Sequence, residues 1–425
     1  METYAKLMNY AVPFFVVLIG IEAFFAWRKG AQINRGADVI SSLSSGITNV
    51  IKDVLGVGVV IVSYDWLLRY FQVVEIKASW AVYLIGFIVI DFAGYWMHRL
   101  SHEINFLWNR HIIHHSSEEF NLACALRQSI STIFSFIAIF MIPAALVGVP
   151  SQVIAVIAPL HLFAQFWYHT RLIDRMGWLE TWLVTPSHHR VHHAMNAEYL
   201  DKNYGQIFIF WDKWFGTFQE ELPEVEPVYG VKRPVRTWNP IIINFQHLWL
   251  LFKDAWRTRS WWDKIRLWFM PTGWRPADVA QRFPVGGVSD VHSFEKYDTH
   301  ASKALLVWSW IQLVFTLTLM FYLFNNIVAI GLTNALIYGG FLFLCIYSFT
   351  TLLDKSPGAV YWEALKTLVA FALIYWQGGD WFGMAASAPI AFYLLIAYLL
   401  ASVGIVYYFV ANECVGNELD VERVG

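Results

Sequence analysis

Histidines dominate the part of this sequence that could do chemistry. Eleven of the fourteen histidines fall between His98 and His193. Most of them stand in three stretches: HRLSH at 98–102, HIIHH at 111–115 and HHRVHH at 188–193. On a helix, side chains three or four residues apart lie on one face, so each stretch can aim several imidazoles at one point. This spacing predicts a metal site, because imidazole nitrogens must converge on an ion at about 2.0–2.1 Å.

The histidines outnumber the ligands that one ion can use. In an HxxHH pattern the last two side chains diverge by about 100° on a helix, so one can serve one ion and its neighbour a second. His169, in the sequence WYHT, adds a further imidazole, and His188 stands directly before the third pattern. This count predicts two metal ions.

The elements that carry the histidines belong to an integral membrane protein. Of the 425 residues, 57% are hydrophobic and only 15% are charged, and the mean hydropathy is +0.46. Apolar runs that can cross about 30 Å of hydrocarbon predict an all-α polytopic fold. About nine spans are expected, at 8–27, 47–68, 80–97, 130–147, 152–167, 304–324, 326–352, 359–376 and 388–410.

These spans divide the chain into three parts. Residues 1–169 form a five-span block with the first two histidine stretches, 170–303 a polar segment with the third, and 304–425 a four-span block. Most Lys and Arg residues follow spans one and three or lie in the polar segment, which places these parts and the histidines on the cytoplasmic face. The membrane is either a bacterial inner membrane or the endoplasmic reticulum. The C-terminal block is interpreted as a scaffold or lateral wall of a lipid tunnel, with a homodimer interface as the alternative.

The net charge and the cysteine content limit the binding partners and the disulfides that this chain is expected to have. The net charge of −2 argues against nucleic acid. Residues 246–269 interleave tryptophans with Lys and Arg at helical spacing, which fits either a helix at the lipid interface or one packed on the polar segment's own core. No disulfide framework is expected from Cys124, Cys345 and Cys414.

All-imidazole ligation suits zinc, copper, iron or nickel, and affinity alone does not choose among them. A haem site would need only two to four histidines within the spans, so haem binding does not account for the number of histidines in this sequence. Zinc transport would need ligands at mid-membrane, where only His161 is deep enough. Two metals at the bilayer surface beside a lipid fit oxygen activation and attack on a C–H bond, which favours di-iron, with the protein positioning the lipid and excluding water.

The residues also carry a family resemblance. HRLSH, HIIHH and HRVHH resemble the three histidine boxes of the fatty acid hydroxylase and sterol desaturase superfamily of membrane di-iron oxygenases, most specifically over 98–218. Segments such as FWYHT, TPSHHRVHHAMN and DKNYGQIFIFWDKWFGTF are most similar to its ether-lipid monooxygenases. The resemblance implies iron ligation by His98, His102, His111, His114, His115, His189, His192 and His193, with His169 and His188 as further candidates.

The resemblance also implies an activity. It is hydroxylation of the ether-linked carbon of a 1-O-alkylglycerol by O2, giving a hemiacetal that collapses to a fatty aldehyde and glycerol. Reduced tetrahydrobiopterin would be the electron donor, and the alternative is a separate donor protein, since no HPGG-type cytochrome b5 motif is present. A sterol or fatty-acyl substrate on the same site remains the alternative function, and a non-catalytic lipid-binding or metal-sensing protein the alternative class.

Several polar residues beside the boxes are candidates for roles next to the metal. Asp91, in an apolar run, is a candidate for the catalytic site and is expected to partner a histidine from another segment, with a purely structural hydrogen bond as the alternative. Glu103, Asn203 and Tyr204 are candidates for catalysis, with a structural role as the alternative. Glu118 and Glu119 also either line the pocket or have a solvated or structural role. His161 and Gln165 are either ligands, partners of ligands, or packing residues. We expect His247, His292 and His300 to be ordinary surface residues.

Overall fold

The computed structural model describes residues 2–57, 59–60, 63–132, 134–135 and 137–414. These residues are almost entirely helical, which confirms the all-α prediction. Their one sheet consists of two strands of two residues each, paired in parallel with Val59 opposite Phe134.

The first half of the chain alternates long and short helices. In chain order its elements are α1 (Glu2–Lys29), α2 (Gly36–Val54), β1 (Val59–Val60), α3 (Tyr64–Phe71), α4 (Trp80–Glu103), α5 (Asn105–Trp108), α6 (Ile112–His115), β2 (Phe134–Ser135), α7 (Ile142–Leu146), α8 (Ser151–Phe163) and α9 (Pro186–His193). Short 3-10 helices lie at Cys124–Leu126, Ile137–Met141 and Gly177–Thr181.

The second half begins with short helices and ends in long ones. Its elements are α10 (Phe210–Phe215), α11 (Pro240–Arg257), α12 (Trp261–Arg266), α13 (Ala277–Arg282), α14 (Lys303–Ile330), α15 (Leu332–Leu353), α16 (Ala359–Trp376), α17 (Met384–Ser387) and α18 (Pro389–Phe409), which runs into a π-helical turn at Val410–Cys414.

Six helices among the described residues are long and apolar enough to cross a membrane: α1, α4, α14, α15, α16 and α18 with its π turn. The protein is therefore an integral membrane protein. The four spans expected in the C-terminal block are all present as helices of this kind. The expected total of nine is not confirmed, because three predicted spans in the N-terminal half have other structures.

The structure does not confirm any of these three predicted spans. The segment 47–68 is not one helix, since α2 ends at Val54 before Gly56, which has a φ of +65°, and α3 begins at Tyr64. The described residues of 130–147 form only short elements, namely β2, a 3-10 helix and α7. The fifth span becomes α8, whose 13 residues reach about 20 Å, too short for the hydrocarbon core.

Helix α4 is held close to its neighbours by glycines. A Cβ at Gly86 would lie 2.9 Å from the Cδ1 of Ile157 on α8, and a Cβ at Gly94 would lie 2.0 Å from the Oε1 of Gln206. Ser79 caps the helix by accepting a hydrogen bond from the Val82 amide. Because α4 continues to Glu103, both His98 and His102 lie on one uninterrupted helix.

Helices α1 and α2 pack into the C-terminal block. Buried apolar residues of both, such as Met8 and Ile51, share one core cluster with residues of α14 and α15, such as Met320 and Tyr338. The C-terminal block therefore has a continuous core with the N-terminal helices.

The ends of several helices meet on the histidine side of the bundle. Glu22 on α1 is buried, and its carboxylate accepts hydrogen bonds from the Leu122 amide (2.7 Å) and the Thr170 hydroxyl (2.5 Å). At the start of α2, Asp38 pairs with Arg127 at 2.7 Å, with both side chains buried. These contacts tie the loops that carry histidines to the membrane helices.

Helix α11 has a buried and an exposed face. His247, Leu251 and Asp254 are buried; the Nε2 of His247 lies 3.0 Å from the Asn105 carbonyl, and Asp254 pairs with Arg275. Trp249 and Trp256 on the opposite side are exposed, as are the tryptophans that begin α12.

Candidate metal centre

Nine histidines converge into two compact groups at the ends of α4, α6, α8 and α9. The first histidine group contains His98, His102, His111, His115 and His192. The second histidine group contains His114, His169, His189 and His193. Within each group the ligand nitrogens all lie within 4.8 Å of one another.

The spacing of the ring nitrogens matches the coordination sphere of an ion. In the first group the Nε2 atom of His111 lies 2.9 Å from that of His98 and 3.0 Å from that of His115. In the second, the Nε2 atom of His189 lies 2.9 Å from that of His169 and 3.0 Å from that of His193. Two ligands bound at right angles with metal–nitrogen bonds of about 2.0–2.1 Å are about 2.9 Å apart. Each group therefore has the size of a single-ion site.

Four of these histidines are fixed from behind by backbone carbonyls. The Nδ1–H of each donates a hydrogen bond to a carbonyl oxygen. The distances are 2.8 Å for His98 to Tyr204 and 2.9 Å for His192 to Lys202. They are 3.0 Å for His169 to Gln165 and 3.3 Å for His114 to Arg127. Such partners fix the tautomer and the orientation of metal-binding imidazoles.

This tautomer makes the Nε2 atoms acceptors. In a neutral imidazole, a proton on Nδ1 leaves a lone pair on Nε2. The Nε2 atoms of His114 and His169 therefore face each other at 3.4 Å with no proton between them. The Nε2 atom of His192 is buried and has no hydrogen-bond partner in the described part of the chain. Lone pairs gathered in this way are favourable around a cation, so the donor set fits a bound metal.

Burial keeps these imidazoles neutral. Burial lowers the pKa of His111, His189 and His193 well below the ordinary value of 6.5, and the neighbouring histidines lower it further. The neutral form is the one that binds metal, because protonation occupies the ligand atom.

A largely apolar cavity of about 900 Å³ reaches both groups. Its lining includes imidazoles of both groups, namely His98, His111, His114, His169 and His189. It also extends between α1, α2, α8 and α14, along side chains such as Phe15, Val50 and Leu317. The cavity could hold a long hydrocarbon chain with one end beside the histidines.

Asp91 does not contact either histidine group. Its carboxylate is fully buried and accepts hydrogen bonds from His161 Nε2 (2.7 Å) and Trp211 Nε1 (2.9 Å). It also accepts from the backbone amides of Ile207 and Phe208, at 2.9 and 3.1 Å. Asp91 thus joins α4 and α8 to the segment that follows Tyr204. The histidine it partners comes from another segment, but His161 lies outside both groups.

Tyr204 and Asn203 form the wall behind the first group. The Tyr204 carbonyl holds His98, its ring lies 5.2 Å from that of His102, and its buried hydroxyl has no hydrogen-bond partner among the described residues. Asn203 has a φ of +55° and donates to the carbonyls of His188 and Gln219.

Asp212 holds this wall in place. Its carboxylate accepts hydrogen bonds from the Tyr204 and Gly205 amides, both at 2.7 Å. Burial raises the pKa of Asp212 to about 6.

Three acidic candidates point away from the metal groups. Glu103 pairs with Arg99 at 2.8 Å, and its side chain is 42% exposed. Glu119 is buried and bridges Arg171 and Lys296, each at 2.6 Å. Glu118 accepts from the Tyr297 amide at 2.5 Å.

The structure does not bring His188 into either group. Its Nδ1 atom lies 3.3 Å from the Leu183 carbonyl and 3.4 Å from the Thr185 hydroxyl, in the first turn of α9. His292 and His300 are exposed as expected. His247 was wrongly predicted to be on the surface, because it is buried and its Nε2 lies 3.0 Å from the Asn105 carbonyl.

Two arginines near the groups were missed. The buried Arg127 bonds Asp38 and Ser116, and its carbonyl holds His114. Arg110 lines the cavity beside His111. Neither belongs to a periodic pattern, and the only available signal was their position within the histidine-rich region.

Comparison with known proteins agrees with this geometry. The fatty acid hydroxylase family model matches residues 83–217, which contain every member of the two groups. An alkylglycerol monooxygenase from Homo sapiens is 33% identical over 414 residues, covering 95% of this chain and 90% of the relative. One from Xenopus tropicalis is 35% identical, covering 84% of this chain and 79% of the relative.

More distant similarity reaches other lipid enzymes. A Delta(7)-sterol 5(6)-desaturase from Gibberella zeae is 28% identical over 179 residues, covering 39% of this chain and 51% of the relative. No solved structure matches this chain.

Proposed function

Because the chain belongs to the alkylglycerol monooxygenase family, we propose that it hydroxylates the ether-linked carbon of 1-O-alkylglycerols with a di-iron centre held by the two histidine groups. It is an oxygen-dependent oxidoreductase of lipids, and the histidine groups together with the family indicate iron. The observation that carries the proposal is the apolar cavity whose lining includes imidazoles of both groups.

The division of ligands supports two irons. The first group offers five imidazoles and the second four, too many for one octahedral ion. One iron would be held by His98, His102, His111, His115 and His192, and the other by His114, His169, His189 and His193. Iron bound in these groups supplies the reduction of O2 and the insertion of one oxygen atom into a C–H bond.

The protein's own residues orient the ligands and the lipid. Backbone carbonyls of Tyr204, Arg127 and Lys202 hold imidazole Nδ1–H groups, so that the Nε2 lone pairs would be available to bind iron. The apolar side chains of α1, α2, α8 and α14 bind the alkyl chain and exclude water from the reacting end.

The reaction balances with an external reductant. One oxygen atom of O2 enters the ether-linked carbon, and the other leaves as water with two electrons and two protons from the donor. The resulting hemiacetal breaks its bond to the glycerol oxygen and gives a fatty aldehyde and glycerol. Reduced tetrahydrobiopterin is the proposed donor, and the reaction is placed on the cytoplasmic face.

A sterol or acyl-chain substrate is the second candidate. The similarity to a sterol desaturase favours it, but that similarity covers only 39% of this chain.

The test is release of aldehyde from a chain-labelled 1-O-alkylglycerol. The detergent-purified, iron-loaded protein is given O2, with or without tetrahydrobiopterin. We expect aldehyde only with the reductant, from the parent and from His292→Ala, whose side chain is exposed and remote from the groups, but not from His193→Ala. Protein with two irons per chain that releases no aldehyde from any alkylglycerol would contradict the proposal, and turnover of sterols or acyl chains would then establish the alternative.

A further inference from the structure

Arg110 lines the cavity next to histidines of the first group, and no acidic side chain of the described residues pairs with it. It is partly buried and lines the cavity together with Met97, His98 and His111. Its one side-chain hydrogen bond in the described part of the chain runs from Nη1 to the Sδ atom of Met97, at 3.3 Å. A thioether sulfur is a weak acceptor, so most of the guanidinium donors have no strong partner there.

Three other arginines of this region are paired with acidic side chains. Arg127 contacts Asp38 at 2.7 Å, Arg190 contacts Glu221 at 2.6 Å, and Arg275 contacts Asp254 at 2.6 Å. Arg110 has no acidic side chain within 4.0 Å among the described residues. None of the Arg110 nitrogens is a fully buried atom without a partner, so the free guanidinium donors remain accessible beside the cavity that Arg110 lines. Its position is therefore suited to a ligand that brings oxygen acceptors into the cavity.

We infer that Arg110 binds the hydroxyl oxygens of the lipid's glycerol head and so fixes the ether-linked carbon against the two histidine groups. This inference rests on the proposed function. The rest of the cavity wall, on α1, α2, α8 and α14, is mostly apolar and suits the alkyl chain. The ether-linked carbon lies between chain and head, so anchoring the head beside His111 places that carbon at the imidazoles.

Arg110 is accordingly a positioning residue that selects for the head group. Its loss should weaken binding of a lipid with hydroxyls and leave binding of the same chain without hydroxyls unchanged. Hydrogen bonds to a charged group are worth enough that at least about a tenfold change is expected.

The experiment measures equilibrium binding to the full-length, iron-loaded protein in detergent. The two probes are radiolabelled 1-O-hexadecylglycerol and hexadecyl methyl ether, which share the chain and the ether but differ in hydroxyls. The variants are Arg110→Met and Arg110→Lys, with Arg69→Met as the matched control, since Arg69 is exposed on α3 and does not line the cavity. Iron content and thermal melting are recorded for each variant.

We expect Arg110→Met to weaken hexadecylglycerol binding at least about tenfold, with no change for the methyl ether, and Arg110→Lys to fall between it and the parent. Should Arg110→Met fail to fold, Arg110→Lys alone decides, by a reduced preference for the glycerol probe. The inference is overturned if Arg110→Met binds each probe as tightly as the parent does. It is also overturned if Arg110→Met loses affinity for both probes by the same factor.

The same measurements distinguish a wrong substrate class from a wrong role of Arg110. If the parent binds hexadecylglycerol no better than the methyl ether and releases no aldehyde, the substrate class is wrong. If the parent prefers hexadecylglycerol and cleaves it while Arg110→Met keeps that preference, only the role of Arg110 is refuted.

Discussion

His114 and His115 are adjacent in the chain but point into different histidine groups. The Nε2 atom of His114 lies 3.1 Å from that of His193, whereas the Nε2 atom of His115 lies 3.1 Å from that of His102. His192 and His193 divide in the same way. His111 and His115 thus belong to the first group and His114 between them to the second. In the other HxxHH stretch, His189 and His193 belong to the second group and His192 to the first. The two groups are linked through α6 and α9.

This division predicts group-specific loss of iron. His111→Ala should remove about one iron per chain from the first group, and His189→Ala about one from the second. His188→Ala should retain both, because its imidazole lies outside the groups. Iron is counted by elemental analysis of purified protein, with Mössbauer spectra to distinguish the remaining sites. If His188→Ala loses as much iron as His189→Ala, the assignment is wrong.

A second prediction concerns Asp91. Its carboxylate accepts four hydrogen bonds, so Asp91→Asn places an NH2 group against at least one N–H donor. Leaving a buried hydrogen-bonding group without its partner typically costs about 1–3 kcal/mol. We expect a markedly lower melting temperature and weaker iron retention in the first group, because the segment that Asp91 holds directly follows Tyr204, whose carbonyl orients His98. A variant that melts and retains iron like the parent would show that Asp91 is dispensable.

How far the sequence predicted the structure depended on the type of signal. Spans in the C-terminal block were predictable because each is a continuous apolar run. Helix α2 was not, since its core-facing side carries buried serines such as Ser42 and Ser45 instead of a long apolar run. The residues around 130–147 are apolar enough for a span, but those that the structure describes form short elements.

At the site, the spacing of the histidines predicted that they converge, but it did not predict which histidine belongs to which group. His188 and His192 are four residues apart, as are His189 and His193. Only the second pair enters a group together, because the first turn of α9 directs His188 to the Leu183 carbonyl. Arg110 was not predictable, since its role depends on a cavity built from distant helices.

Acid pH should destabilise the iron-free protein. Burial lowers the pKa of His111, His115 and His192 well below 6.5 in the folded state, whereas in the unfolded chain each takes up a proton near 6.5. The unfolded state therefore binds more protons below about pH 6.5, and stability falls as the pH drops through that value. Thermal melts from pH 7.5 to 5.5 should show this fall, and bound iron should reduce it near pH 6. An iron-free melting temperature that is constant down to pH 5.5 would contradict the burial of neutral imidazoles.

The last prediction concerns an ion pair inside the C-terminal block. Glu363 and Lys366 on α16 are fully buried and contact each other. Lys366 also donates to the Tyr398 hydroxyl on α18 at 2.8 Å and to Gln312 on α14 at 3.2 Å, while Ser348 on α15 donates to Glu363 at 2.7 Å. The pair thus connects all four long helices of the block.

Removing one partner should be worse than removing both. Glu363→Leu leaves a buried ammonium without its counter-charge and should destabilise the block by about 3–5 kcal/mol. The double variant Glu363→Leu with Lys366→Met should recover most of that loss, because no buried charge remains. Melting temperature and iron content are measured for both single variants and for the double variant. Because the pair contacts no residue of the histidine groups, iron content should stay at the parent level wherever the fold is intact. If the losses of the two single variants simply add in the double variant, the two side chains do not act as a pair.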